Sequence, residues 1–301
     1  MKKFFVLTLI VITSITIIAA NVLIPVGPTV FAFVGLLEGK ITSEIPLKID
    51  FWRSLDQVNA QLIAGTADVV VLPVSIGASL YSKGLGLKLG GVFLWGGFYI
   101  VSKEPLSSVD QLSSKEIYTP QGKGQTGDIL IRMLISKYNL QNVSIKYLAQ
   151  TEIVPLMSAG KASIAVLPEP FVTMALKSAG AQIAFDLQKL WFEMTELSEE
   201  VPITGIFIST KVEPSQAVKI LQAISSSLKY ALENKNEACQ LSAKYLGGIG
   251  QDVLLQSLSR TKYEYRSAKE SKQAVLTYLK IVTEIEPSVL GKLPDDDFFA
   301  Y

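Results

Sequence analysis

The sequence predicts two similar α/β lobes with a cleft between them. Two stretches carry that prediction. Gly65-Thr66-Ala67-Asp68-Val69-Val70-Val71-Leu72-Pro73-Val74-Ser75 aligns without a gap on Gly160-Lys161-Ala162-Ser163-Ile164-Ala165-Val166-Leu167-Pro168-Glu169-Pro170. Each reads as a helix end, a Gly C-cap, an all-apolar strand, and a Pro that opens the next helix. An apolar run without alternation suits a parallel strand buried on both faces. The Pro then stands at the strand's carboxyl end, where open α/β sheets bind ligands. A third observation is context: helix-like Gln61–Ala64 and Leu156–Ala159 directly precede the two Gly residues.

A chain of 301 residues supports one large or two medium domains. Its 49% hydrophobic and 18% charged content is that of a globular chain. With 28 basic and 27 acidic residues there is no basic field for nucleic acid. Histidine is absent, which removes Ser-His-Asp and Cys-His triads, His-ligated zinc and any His general base. The single cysteine, Cys239, excludes an intrachain disulfide and a Cys metal cluster, and it reads as a small buried hydrophobe in a helix. No metal or cofactor is expected.

Taken in order, residues 1–20 read as an export signal. Lys2 and Lys3 precede an apolar run, and Ala19-Ala20 closes it, although Ile18 breaks the Ala-x-Ala pattern. An uncleaved N-terminal anchor is the alternative. Asn21–Val26 is the first strand and Val30–Glu38 a helix, with Pro28 at its start. Leu47–Phe51 is a strand, and Ser54 caps a helix through Ala64. The first echo strand ends at Pro73, and Ser75–Ser82 continues as helix. Leu87–Trp95 is a strand broken by Gly96-Gly97, and Phe98–Ser102 is extended. Beyond it come a strand at Glu116–Thr119, a helix at Ile129–Tyr138, a strand at Val143–Leu148 and a helix at Thr151–Ala159. The second echo strand and its helix run to Ala179, and Gln182–Phe185 is a strand. Val201–Ser209 is extended and crosses back. From Pro214 onward Pro214–Glu233, Asn236–Leu246, Gln251–Ser259 and Lys269–Glu284 read as helices, and Pro294–Tyr301 as a loose tail.

The most chemical motif is Gly122-Lys123-Gly124-Gln125-Thr126-Gly127. It follows a strand and opens a helix, but it matches neither a Walker A loop nor a dinucleotide fingerprint. Its glycines, Gln125, Thr126 and free N–H groups form either a cradle for an anion or polar ligand edge, or a turn that simply needs glycine. Glu169 either accepts hydrogen bonds from an amino or amidine ligand or is an exposed helix-start carboxylate. Trp52, Trp95 and Tyr99 stand near strand ends, as stacking platforms or as core. Ser75 either presents its hydroxyl to the cleft or caps a helix, and Thr204-Gly205 suits a hinge.

Taken together, the export signal, Gly27-Pro28-Thr29 after strand one, the Ala67-Asp68-Val69 strand with Pro73 and Ser75, the Gly122–Gly127 turn and Leu167-Pro168-Glu169-Pro170 occur in an order that resembles a known family. The chain is similar to extracytoplasmic solute-binding proteins of ABC importers, in the group for sulfonates, taurine, nitrate and thiamine-pyrimidine precursors. That resemblance implies a periplasmic-binding-protein fold with two chain crossovers, lobe one holding 21–101 plus 201–301 and lobe two holding 102–200. It implies a small-molecule ligand contacted by Gly27, Pro28, Thr29, Trp52, Ser75, Trp95, Gly124, Gln125, Thr126, Gly127, Glu169 and Thr204. It also implies a monomer that delivers to a membrane permease, without catalysis. Fungal members that make the thiamine pyrimidine depend on histidine, and lipid-anchored members on an N-terminal cysteine; neither is present here. A thiamine-pyrimidine precursor is the expected ligand, with sulfonate, taurine or nitrate as the alternative. A menaquinone-pathway type of enzyme on the same fold is the alternative function, and a sensory module held by an uncleaved N-terminus is a third.

Overall fold

A computed structural model describes residues 19–301. The expected export segment therefore lies outside the described residues, apart from Ala19 and Ala20. Two sheets organise the chain. The first half of lobe one runs β1 (Ala20–Pro25), α1 (Thr29–Leu37), β2 (Leu47–Trp52), α2 (Leu55–Ala64), β3 (Val69–Pro73), α3 (Val74–Ser82) and β4 (Leu87–Leu94). Lobe two follows as β5 (Phe98–Ser102), β6 (Glu116–Thr119), α4 (Thr126–Lys137), β7 (Ser144–Tyr147), α5 (Gln150–Ser158), β8 (Ile164–Pro168), α6 (Phe171–Ser178), β9 (Gln182–Asp186) and α7 (Leu187–Thr195). The chain returns through β10 (Thr204–Ser209), α8 (Pro214–Glu233), α9 (Lys235–Ala243), α10 (Gln251–Ser257), β11 (Tyr263–Ser267), α11 (Ala268–Ile285) and α12 (Pro287–Leu290).

The strand orders are β11-β4-β10-β3-β1-β2 and β7-β6-β8-β5-β9. The two echo strands occupy the same place in each. β3 lies between parallel β1 and antiparallel β10, and β8 between parallel β6 and antiparallel β5. Both are apolar because helices cover both faces: Val69–Leu72 and Ile164–Pro168 are all buried. In each lobe the antiparallel neighbour of the echo strand is the one laid down by a chain crossing. β5 therefore belongs to the second sheet, so the outgoing crossing lies at Gly96-Gly97 and not beyond Val101 as the sequence suggested.

Local signals act where expected. Ser54 Oγ accepts from Gln57 N at 3.2 Å, and Gly65 ends α2 in the left-handed region at φ 68°. Three expectations need correction. Helix α7 was not anticipated, and Asp186 caps it through bonds from Gln188 N and Lys189 N. Strand β11 was also not anticipated. The tail is not loose: it forms a 3₁₀ turn at Asp296–Phe299 with Phe298 fully buried against Tyr81 and Phe207. Cys239 is buried as expected, and burial pushes its thiol up to about 11.

Candidate functional site

Strand directions put the carboxyl ends of β1, β2, β3 and β4 on one edge of the first sheet. The carboxyl ends of β6, β7, β8 and β9 lie on the facing edge of the second. Between these edges the loops of the two lobes meet. Gly27, at φ +146°, turns the chain after β1, and its carbonyl accepts from Val30 N at 3.1 Å. Pro28 opens α1 and its carbonyl takes the Tyr263 hydroxyl at 2.8 Å, while Thr29 is buried. From the other lobe, Gln150 Nε2 reaches the Val26 carbonyl at 3.5 Å.

The floor of the junction joins expected residues of both lobes. Ser75 Oγ donates to the Gly124 carbonyl at 2.7 Å, and neither group is exposed. Gly124 N donates to Asp128 Oδ2 at 2.8 Å. Gln125 stands at the start of α4 with its N–H on the Gly122 carbonyl, and Gly127 is buried. Thr126 Oγ1 and Tyr278 Oη from α11 are fully buried close to each other and to Ser75, and neither finds a partner in good hydrogen-bond geometry among the described residues. Burial pushes the Tyr278 phenol up to about 12.

At the hinge side a pocket of about 410 Å³ opens between the lobes. Gly96, Tyr99, Asp186, Arg260 and Tyr263 line it. Glu169 lies beside it, fully engaged by its own chain. Its Oε1 accepts from Arg260 Nε at 2.5 Å, and its Oε2 from Thr173 N and Oγ1 at 3.0 and 2.8 Å. The carboxylate is therefore neither an exposed helix-start group nor a free acceptor. Arg260, which no local sequence pattern singles out, lines the pocket and pairs with Glu169. It sits at the end of a 3₁₀ turn, Leu258–Arg260, just before β11. The alternation Tyr263-Glu264-Tyr265-Arg266 was the available signal for that strand.

The two tryptophan candidates are each fixed by the fold, and Trp95 also borders the interlobe pocket. Trp52 Nε1 donates to the Val71 carbonyl at 3.0 Å. Trp95 is fully buried, donates to the Glu264 carbonyl at 2.8 Å, and carries the Arg266 guanidinium over its ring at 4.1 Å. Thr204 is the first residue of β10, paired with Pro73 and Leu94. Among the described residues no cluster of metal-ligating side chains occurs, and no helix is long and apolar enough to cross a membrane.

A family model described as menaquinone biosynthesis matches residues 24–284. The chain belongs to that family. The chain also matches an ABC transporter structure from Parabacteroides distasonis at 31% identity, over 94% of this chain and 99% of that one, with a TM-score of 0.79. Two more distant structures share the fold. The periplasmic aliphatic sulphonate-binding protein of Escherichia coli matches at 14% identity and TM-score 0.74, over 94% of this chain and 92% of that one. The periplasmic nitrate-binding protein of Synechocystis PCC 6803 matches at 11% and 0.66, over 93% and 86%. No curated protein sequence matches. The expected kinship with ABC-transporter substrate-binding proteins and their two-lobed fold holds.

Proposed function

We propose that the chain is the solute-binding component of an ABC importer, exported and working without catalysis. In this reading Gly96-Gly97 and the segment 196–203 are the hinges, and the lobes close on a small molecule. The observation that carries it is the interlobe pocket, lined from both lobes and, at about 410 Å³, sized for a small molecule. The 31% identical ABC transporter relative supports the assignment over nearly the whole chain. A membrane permease is the implied partner.

For the ligand, the sequence points to a thiamine-pyrimidine precursor through Glu169 as acceptor, the nearby aromatics and the lack of an evident Arg or Lys clamp. Arg260 at the pocket supplies such a cation. Both Glu169 oxygens are taken by Arg260 and Thr173. The weight moves to anionic solutes, in line with the sulphonate and nitrate binders that share the fold. A thermal-shift panel on the purified protein tests this, with alkylsulfonates, taurine and nitrate against aminopyrimidines and thiamine. A ligand at about a hundred times its Kd adds about 2.7 kcal/mol, several degrees of shift. A shift with anions alone is the expected result, and a shift with pyrimidines alone restores the precursor.

The family match favours a second reading, an enzyme of the menaquinone-biosynthesis type on this fold. Mass spectrometry of each shifting ligand after incubation separates the two. An unchanged ligand supports import, and any turned-over ligand overturns it.

A further inference from the structure

The pocket at the hinge carries more than a size. We propose that Arg260 is the ligand's anion receptor, and that Glu169 and Thr173 are the positioning residues that aim it. The ligand class is a small carboxylate or sulfonate with a planar or apolar body. This rests on the solute-binding reading and names the chemistry of that same pocket.

The geometry supports the assignment from three sides. First, one edge of the guanidinium is fixed. Arg260 Nε donates to Glu169 Oε1 at 2.5 Å and Nη2 donates to Thr173 Oγ1 at 2.5 Å. Glu169 is itself held by Thr173 N and Oγ1, and its side chain is only 1% exposed. The Arg260 backbone is tied as well, because its carbonyl accepts the Tyr99 hydroxyl at 3.0 Å. Second, the other edge is free. Nη1 has no hydrogen-bond partner among the described residues, and the side chain, a quarter exposed, lines the pocket. A planar guanidinium with one edge anchored presents its remaining N–H groups in a fixed fork, the geometry that carboxylates and sulfonates accept. Third, the surroundings suit an anion with a flat body. Lys262 is paired with Glu200 at 2.7 Å, and Asp186 accepts from the N-terminus of α7. Lys235 at the pocket rim has no salt-bridge partner among the described residues. Tyr99 and Tyr263 supply ring surface beside Arg260.

Arg260 comes from lobe one, and Glu169 and Thr173 from lobe two. The fork is therefore built from both lobes, and α10, which leads into Arg260, packs on α6 in one buried apolar cluster.

The test is calorimetric titration of the full-length chain with benzoate and benzenesulfonate against neutral benzamide. Each variant is first checked for an intact thermal transition. The expected result is saturable binding of at least one anion and none of benzamide. Arg260→Lys keeps the charge and a partner for Glu169 but loses the fork, and is expected to weaken the anion by about tenfold or more. Glu169→Gln is the sharper test. It removes a negative charge beside the site, so a bystander carboxylate predicts tighter anion binding, whereas a positioning residue predicts weaker binding. Equal binding of anion and benzamide, no binding of either anion, or unchanged affinity in Arg260→Lys overturns the proposal. An aminopyrimidine that binds equally in wild type and Arg260→Lys overturns the receptor and leaves the import reading standing. Turnover of a bound probe overturns the import reading, and the Arg260 dependence is then read from binding alone.

Discussion

At the scale of single residues, Gly124 shows how the two lobes are fitted to each other. Its φ is +82°, and an added Cβ would stand 2.5 Å from Val289 Cγ2 on α12 of the other lobe. Gly124→Ala is therefore expected to destabilise the protein by about 1–3 kcal/mol, from backbone strain plus overpacking. Urea unfolding measures it, and an unchanged midpoint would show that the lobes do not close on this loop. Ser75→Ala removes the hydrogen bond to the Gly124 carbonyl and leaves that oxygen buried, with an expected loss of about 1–3 kcal/mol in the same assay. Positions such as Ser75 and Gly124 were readable in the sequence because strand-end punctuation is local: a Pro, a Gly, a helix start. Partners were not. Glu169 could be placed at a strand end, yet Arg260 lies 91 residues further on, and no local pattern joins them. Trp95 borders the pocket, and its indole is held from a distance as well. A Trp at a strand end reads the same with or without a cation stacked on it, and the Arg266 that covers this one comes from β11, far along the chain.

At the scale of elements, the regular α/β repeats were legible and the closing pieces were not. The echo of β3 and β8 survives because both strands are buried on both faces, a constraint written directly into composition. The tail was misread because Asp295, Asp296 and Asp297 look solvated. Their partners come from distant elements: Tyr81 on α3, Lys272 on α11 and Lys88 on β4. Each surface pair contributes little by itself. What docks the turn is Phe298, fully buried, with its ring 5.0 Å from Tyr81, 6.0 Å from Phe207 and 4.9 Å from Phe299. Phe298→Ala is expected to cost about 3–5 kcal/mol in chemical denaturation. Charge removal at Asp296 is expected to change stability by less than about 1 kcal/mol. The reverse ranking would mean that the ion pairs, not the ring, hold the turn.

At the scale of the whole molecule, the junction of the lobes buries phenols, and this fixes how stability responds to alkali. The Tyr99 hydroxyl spans the junction to the Arg260 carbonyl. Burial first, then the Asp186 and Glu169 carboxylates, push it up to about 12, and burial pushes Tyr278 to the same region. An unfolded tyrosine titrates near 10. A raised folded value means that the fold prefers the neutral phenol. Its contribution is complete below pH about 10 and is lost as pH rises from about 10 towards 12, by at most about 1.4 kcal/mol per pH unit for each group. The two tyrosines separate two causes. Tyr278 Oη is buried beside Thr126 and Ser75 without a well-formed hydrogen bond among the described residues, so Tyr278→Phe removes a poorly satisfied, desolvated hydroxyl and is expected to leave stability at pH 7 unchanged or raised. Tyr99→Phe deletes a lobe-to-lobe hydrogen bond and is expected to cost about 0.5–1.5 kcal/mol at pH 7. Both variants should lose less stability than wild type between pH 10 and 12, because each carries one phenol fewer to ionise. Lysine deprotonation in the same range weakens ion pairs equally in all three proteins, so the comparison with wild type isolates the phenols. Melting curves at steps from pH 7 to 11.5 read both effects. Parallel curves for the three proteins would show that these phenols reach water before the protein unfolds, and hence that the lobes open freely under alkaline conditions without global unfolding.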